Sequence, residues 1–448
     1  MNLNRKPHRN PDLLIVGGGI VGLTVARAAR ARWPDSTVTL LEKEEDVGLH
    51  ASGRNSGVLH AGFYYSADSL KARFSREGTR RWTELCLERG LGINRCGKLV
   101  VAQGPHELEG LAELKRRGDR NGVLLHEVTV QEAREIDPAA KTHERALFSP
   151  NTASVDPAEV TRALASDARE AGVKMLFGTR ALGLRGMALD TTAGLFQPGY
   201  LINAAGLYAD RLARSYGFGE DLDILPFKGI YLYGDPQHRR PRVHIYPVPK
   251  LSRPWLGVHF TIGVQGEVKI GPTAIPAFWR EHYKGLQNLS LWEAASILLT
   301  EAGLFLRNDF EFREIAKEEM RKYLRPVLAR QGARLVDGTP MDSFRTWGKP
   351  GIRAQLFHRK ERKMLMDFHL EGDDRSLHIL NAVSPAFTCA LPFAEFVLDE
   401  VEVKMGEGAG LREEPPDEAG SGHQDGPARG GMEPANARSR NRPSASTP

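Results

Sequence analysis

The sequence predicts an α/β fold, a Rossmann-like domain interrupted by an inserted antiparallel-sheet domain. Three observations lead there. A glycine-rich turn lies between an apolar strand and a helix within residues 12–42. Strand and helix segments of that character return at 173–206 and 376–403, so the pieces of one domain are dispersed along the chain. Between about 222 and 345 the character changes to short strand-like runs punctuated by Gly and Pro, the pattern of an antiparallel sheet.

Taken in order, residues 1–11 are a polar lead-in with two prolines. Residues 12–17 form a buried strand, 20–32 a helix, and 37–42 a second strand after the turn Pro34-Asp35. A polar, glycine-rich stretch at 48–62 precedes a helix over about 68–90. Strand character follows at 93–103, and a short helix ends at Pro138. Asp156 is placed to cap a helix with Pro157 in its first turn and Gly172 beyond its end. Strands follow at 173–177 and 200–206. The segments GIYLYG, WLGVHFTIG and GEVKIGP read as strands of the insertion, with helix over about 290–330. SLHILNA at 376–382 is a last strand, and 387–403 a closing helix. From Gly406 the chain nearly lacks large apolar residues and cannot offset its ordering entropy, so disorder is expected. The division is a lead-in at 1–11, a first domain from 12–90, 145–220 and 346–405, an inserted domain from 91–144 and 221–345, and a tail at 406–448.

Composition narrows the function. The chain has 448 residues, 41% hydrophobic and 26% charged, an ordinary globular balance. Its 61 Lys plus Arg against 56 Asp plus Glu leave a net charge of +5, dispersed rather than gathered as nucleic-acid binding requires. Cys86, Cys96 and Cys389 show no pairing or metal spacing, which suits a reducing compartment and buried thiols. Arg5, Lys6 and Arg9 before LLIVGGGIVGLTVA imitate a signal peptide, but the glycine spacing explains the segment better. No run of 18 apolar residues appears, so no membrane span is expected. The expected location is cytoplasmic, with room for peripheral contact on the inner face of a membrane.

Gly17-Gly18-Gly19-Ile20-Val21-Gly22 fits G-x-G-x-x-G between a strand and a helix. Gly17 permits the tight turn, Gly19 lets a pyrophosphate approach the backbone, and Gly22 packs helix on strand. The helix start offers unpaired N–H groups to phosphate. Glu42, 20 residues after Gly22, is placed to accept from ribose hydroxyls and would repel a 2′-phosphate, with Lys43 beside it. These residues indicate a dinucleotide without separating NAD from FAD.

SGRNSGVLHAGFYYSADSLKARFSREG at 52–78 resembles the second block of FAD-dependent oxidoreductases of the D-amino-acid oxidase superfamily, and more narrowly the L-2-hydroxyglutarate oxidase/dehydrogenase family. CGKLVVA, LINAAGLYADRLA, IYPVPKLSRPWLGVHFT, GIRAQL and LNAVSPAFT are similar to further blocks in the same order. The resemblance spans about 12–400 and implies FAD as cofactor and a Rossmann-like FAD-binding domain of the D-amino-acid oxidase or glutathione reductase type.

The resemblance also implies site residues. Asn55, Ser56, Gly57 and His60 lie in the loop beside pyrophosphate and flavin, and Ala205 and Gly206 follow the second cofactor strand. Ser384 reads as an N-cap with Pro385 at the first helical position, aiming the start of the last helix, with Ala386 and Thr388, at the flavin. Strand alternation puts His259 on the polar face of WLGVHFT, where a histidine near neutral pKa can take a hydroxyl proton. His60 is the next candidate for that base, and Tyr64 for the pocket wall. Arg353 is expected to bind a substrate carboxylate through two parallel hydrogen bonds, with Lys228 as a second cation. The implied reaction is oxidation of a 2-hydroxy acid, L-2-hydroxyglutarate to 2-oxoglutarate, by hydride transfer to flavin N5, with oxygen or a quinone as electron acceptor. Alternatives on the same frame are an amino-acid or glycerol-phosphate oxidase, or a flavoprotein assembly factor with little turnover.

Overall fold

The structure is a computed structural model and describes residues 10–237, 240–250 and 256–410, of which 407–410 by backbone alone. Most of the lead-in and the tail from 411 onward lie outside the described residues.

The strand Leu13–Val16 is the centre of the cofactor half. It pairs in parallel with Val38–Leu41 on one side and Tyr200–Asn203 on the other. Lys174–Leu176 and Ser376–Ile379 extend the sheet in the same direction, and Leu370–Gly372 closes one edge antiparallel. The strand is continuously apolar because both faces are covered. Leu13 and Ile15 pack with Leu23 and Val25 of the helix Ile20–Arg32, whereas Leu14 and Val16 pack with Leu189 and Phe196. Those last two belong to a three-stranded meander, Ala181–Arg185, Ala188–Thr191 and Gly194–Phe196.

Two long helices lock this half. Leu70–Glu88 is capped by the Ser69 hydroxyl and crosses the closing helix Ala386–Gly410. At the crossing a Cβ on Gly78 would lie 2.0 Å from the Thr388 carbonyl oxygen, so only glycine permits this approach. Trp82, fully buried, donates its indole N–H to the Phe387 carbonyl at 3.0 Å.

The inserted half is an eight-stranded sheet, largely antiparallel. Its one parallel joint sets Lys98–Val101 beside His244–Pro247. His244–Pro247 continues to His259–Ile262, and that strand to Val268–Gly271. Alternation divides the residues. Leu99, Ile245, Phe260 and Ile270 enter one apolar core. Their neighbours Lys98, His244, Tyr246, His259, Thr261 and Lys269 share the opposite face. The expected helical stretch is three helices, Leu291–Arg307, Phe312–Arg321 and Arg325–Gly332.

A second antiparallel pair, Leu222–Gly229 with Gly351–His358, runs in register over its whole length. It therefore joins a strand that the sequence division left with the cofactor half to one in the insertion. Arg145–Ser149 likewise pairs with Lys98–Val101 rather than with the cofactor sheet. Sheet membership is decided by non-local backbone pairing, which local composition does not carry.

Candidate active site

A cavity of about 980 Å³ runs from the fingerprint turn to the polar face of the eight-stranded sheet. At its first end Gly17 has φ +114°, and a Cβ there would stand 2.4 Å from the Ala204 carbonyl oxygen. A Cβ on Gly22 would stand 1.9 Å from the Gly17 carbonyl oxygen, which is the packing role expected of it. Gly17, Gly19, Ala205 and Gly206 line the cavity, a cradle of backbone that suits a pyrophosphate. The Glu42 carboxylate accepts from the Gly18 N–H at 2.8 Å and the Glu44 N–H at 2.9 Å. It is thereby fixed at the end of the second strand, where a ribose belongs. Ser52, not singled out in the sequence, accepts the Ile20 N–H at 2.8 Å.

Lys43 also lines the cavity, but its ammonium is engaged by Glu44 and by Glu281 at 2.8 Å. His50 lies 2.8 Å from the same ammonium. The Glu44, His50 and Glu281 group has the spacing of metal ligands, and the lysine already supplies its cation.

The loop at 51–60 is organised mostly by its own hydrogen bonds. Asn55 accepts the Gly57 N–H at 2.8 Å and donates to the Ser52 carbonyl at 2.8 Å. Asn55 and Ser56 line the cavity. Gly57 does not; with φ +76° it turns the chain against the Val155 carbonyl, which leaves 2.1 Å for a Cβ. The His60 N–H donates to the Thr388 hydroxyl at 3.1 Å, and that hydroxyl donates to the Val58 carbonyl at 3.3 Å. Thr388 thus ties the closing helix to the loop at the cavity wall. Ser384 is not the cap that its position before proline suggests. The helix begins at Ala386, whose N–H bonds the Val383 carbonyl, and the Pro385 carbonyl accepts from Cys389. Ser384, Pro385 and Ala386 all line the cavity.

The far end holds the imidazoles. His259 and His60 line the cavity, with His244 buried beside them on the sheet face. The His259 ring stacks on Tyr246 with centroids 3.7 Å apart and planes 17° apart. Its Nδ1 is 2.7 Å from the Gly257 carbonyl, which requires Nδ1–H and leaves Nε2 as the acceptor. Burial, with Lys98 and Lys269 nearby, pushes His259 down to about 3. Burial and the charges of Lys98 and Arg353 hold His60 well below the usual imidazole range.

Two cations belong to this end. Arg353, opposite Phe227 across the strand pair, lines the cavity with Tyr65 and Tyr231 close enough to act on its charge. Lys71, missed in the sequence although it sits in the SLKAR run, also lines the cavity. Burial and the nearby Arg353 charge lower it to about 8, and its ammonium donates to the Met366 carbonyl. Lys228 is absent from the lining. Its register partner Ile352 does line the cavity, so the pairing alone does not bring the Lys228 side chain there. Tyr64 lines the cavity as expected, beside Lys98, whose ammonium stands 5.1 Å from the Tyr64 ring and 4.5 Å from that of Tyr246.

The model of the FAD dependent oxidoreductase family matches residues 12–397. The mitochondrial L-2-hydroxyglutarate dehydrogenase of Nematostella vectensis is 35% identical over 424 residues, 89% of this chain and 92% of that one. The L-2-hydroxyglutarate dehydrogenase of Escherichia coli K12 is 32% identical over 88% of this chain and 94% of its own. The mitochondrial one of Homo sapiens is 33% identical over 88% and 89%. Among solved structures, dithionite-reduced L-alpha-glycerophosphate oxidase from Mycoplasma pneumoniae with FAD bound superposes with a TM-score of 0.71 at 21% identity, covering 88% of this chain and 95% of that one. Glycine oxidase from Geobacillus kaustophilus gives 0.66 at 20% identity, covering 89% and 96%. The fold is theirs, the backbone cradle and the elongated cavity fit FAD, and the chain belongs to the FAD-dependent oxidoreductases of the D-amino-acid oxidase superfamily and, among them, to the L-2-hydroxyglutarate dehydrogenase family.

Proposed function

We propose that the protein oxidises a 2-hydroxy acid, L-2-hydroxyglutarate to 2-oxoglutarate. The observation that carries this reading is that Arg353, Lys71 and a neutral His259 line one cavity, continuous with the dinucleotide cradle. The curated relatives named above support the choice of acid.

Arg353 holds the carboxylate beside the reacting carbon through two parallel hydrogen bonds. Lys71 takes the second carboxylate, the part that Lys228 does not reach the cavity to play. His259 Nε2 accepts the hydroxyl proton, with its ring held by the Gly257 carbonyl and by stacking on Tyr246. His60 is the second choice, because its Nδ1 is buried with no hydrogen-bond partner among the described residues to orient it. FAD, when bound, supplies the acceptor for the hydride. Crowded, desolvated cations favour the dianionic substrate over a neutral one. Electrons then pass to oxygen or to a quinone.

The test is anaerobic mixing of the holoenzyme with each enantiomer of 2-hydroxyglutarate, several amino acids and glycerol 3-phosphate. Bleaching of the flavin band by the L enantiomer is the expected result, followed by reoxidation with oxygen or a quinone. Bleaching by an amino acid or glycerol 3-phosphate alone would move the substrate elsewhere, and no bleaching by any of them would point to an assembly factor.

A further inference from the structure

The strands Val38–Leu41 and Tyr200–Asn203 flank the fingerprint strand Leu13–Val16, and all three run parallel. The chain that follows each flanking strand therefore leaves on the same edge of the sheet, one loop on either side of the glycine turn. Lys43, His50 and Arg54 belong to the first of these loops, and Leu207, Tyr208 and Asp210 to the second. All but Asp210 line the cavity. A short stretch of the insertion, residues 280–283, is bound to both. One Glu281 oxygen, Oε1, accepts from the Lys43 ammonium at 2.8 Å on one side and from the Tyr208 hydroxyl at 2.8 Å on the other. Its Oε2 accepts from Asn288 of its own segment at 2.8 Å. Arg280 forks onto the Asp210 carboxylate with bonds of 2.8 and 2.7 Å and also donates to the Leu207 carbonyl. The Tyr283 hydroxyl lies 2.7 Å from His50 Nδ1, and the Arg54 guanidinium stands 4.3 Å from the centre of the Tyr283 ring. Arg280, Glu281 and Asp210 are all buried. Buried ion pairs add little net stability, because desolvation cancels most of their attraction. What these contacts do is hold two loops at one fixed separation.

We propose that residues 280–283 are a clasp that retains the dinucleotide, with Glu281 as its positioning residue. A dinucleotide on the glycine turn belongs outside the carboxyl ends of the strands, between the two loops, and it leaves only when they part. Parting them breaks the Glu281 bonds to Lys43 and Tyr208 together, since both meet at one oxygen. The clasp also accounts for Lys43. A lysine next to Glu42 could pair with a phosphate, yet its ammonium is turned to Glu44 and Glu281. It ties the insertion across the site instead. The inserted half thus acts on the flavin from outside the Rossmann-like domain. The contacts that do this join residues 238 and 73 positions apart, so no local pattern shows them. Glu293, further along the same segment, extends the tie by binding Arg211 at 2.7 Å, and Arg211 lines the cavity. The proposal stands apart from the choice of substrate, since its readout is the release of flavin.

The test is the rate at which the full-length holoenzyme loses flavin on dilution, read as the rise of free-flavin fluorescence. Glu281→Ala should speed release by roughly tenfold or more, since a hydrogen bond to a charged group is lost on each side. Tyr208→Phe removes one donor, keeps the ring and should speed release by a smaller factor. A double-mutant cycle with Lys43→Met separates a clasp from general loosening. Lys43 and Glu281 act through one contact, so the double variant should release flavin less fast than the product of the two single factors. If Glu281→Ala does not fold, Tyr208→Phe takes its place in the cycle, because both donors meet at the same oxygen. Release that Glu281→Ala and Tyr208→Phe leave unchanged overturns the proposal. So does a double variant whose factors simply multiply, since Glu281 would then act through stability alone.

Discussion

At the scale of single residues, two groups that line the cavity titrate far from their ordinary values for the same reason. Desolvation disfavours the charged form of both His259 and Lys71. For His259 at about 3 the result is a base that is neutral across the working range, so no activity limb near pH 6.5 is expected from it. Replacing it by Gln should lower kcat by roughly 10²–10⁴ with little change in KM, measured by anaerobic flavin reduction. A small loss of kcat would pass the role to His60. For Lys71 the sign is opposite in consequence. Its charge is present below about 8 and disappears as pH rises through that value. The kcat/KM for a dicarboxylate should therefore fall above about pH 8. The limb should be missing for a 2-hydroxy monocarboxylate and move upward in Lys71→Arg, as a pH series on both substrates would show. The sequence disclosed these residues unevenly. His259 is legible because alternation in a short strand is a local property. Lys71 is not, because a lysine in a helical pattern reads as a solvated face until the opposite wall is known. Lys228 failed because its place beside the cavity depends on pairing with Gly351–His358, a strand far away in the chain.

At the scale of elements, the fold depends on close crossings. Gly78 lies within the helix Leu70–Glu88, where Ala is ordinarily favoured over Gly by about 0.5–1 kcal/mol. The 2.0 Å left for its Cβ against the Thr388 carbonyl should reverse that sign. Gly78→Ala is expected to destabilise by roughly 1–3 kcal/mol and to loosen flavin retention, seen in urea unfolding followed by flavin fluorescence. A stabilised variant would show that the two helices can separate freely. The fingerprint was readable because its strand, turn and helix are contiguous, and Gly22 answers to Gly17 a few residues away. The start of the closing helix was not. A serine before proline satisfies the usual cap pattern, yet the backbone at Val383–Pro385 supplies the first hydrogen bonds instead.

At the scale of the molecule, His60, His244 and His259 are buried where the cofactor and inserted halves meet, and burial lowers all three. Each is neutral in the folded state over a range in which the unfolded chain takes up a proton. Stability is thus complete above about pH 6.5 and is lost as pH falls toward the folded values. For His259 alone the loss by pH 5 is about 2 kcal/mol, from 1.36 kcal/mol per unit. Thermal unfolding should move to lower temperature between pH 7 and 5, and less so in His259→Gln; equal midpoints would contradict this. The general architecture was visible in the sequence because patterning repeats it several times over. The assignment of Arg145–Ser149 and Gly351–His358 to sheets was not, since either sheet would accept such strands.

The cofactor sheet takes its five parallel strands from residues 13–16, 38–41, 174–176, 200–203 and 376–379. A ribosome delivers these in order, at roughly 5–20 residues per second. The glycine cradle emerges first, and then waits for almost the whole message before its last parallel strand and the helix behind it arrive. During translation the insertion can collapse around its own strands while the vitamin-binding half is still open along one edge. Cofactor capture is thereby a late event in the life of each new chain, and a ribosome that stalls before residue 376 releases a product with the fingerprint intact and no finished place for the flavin.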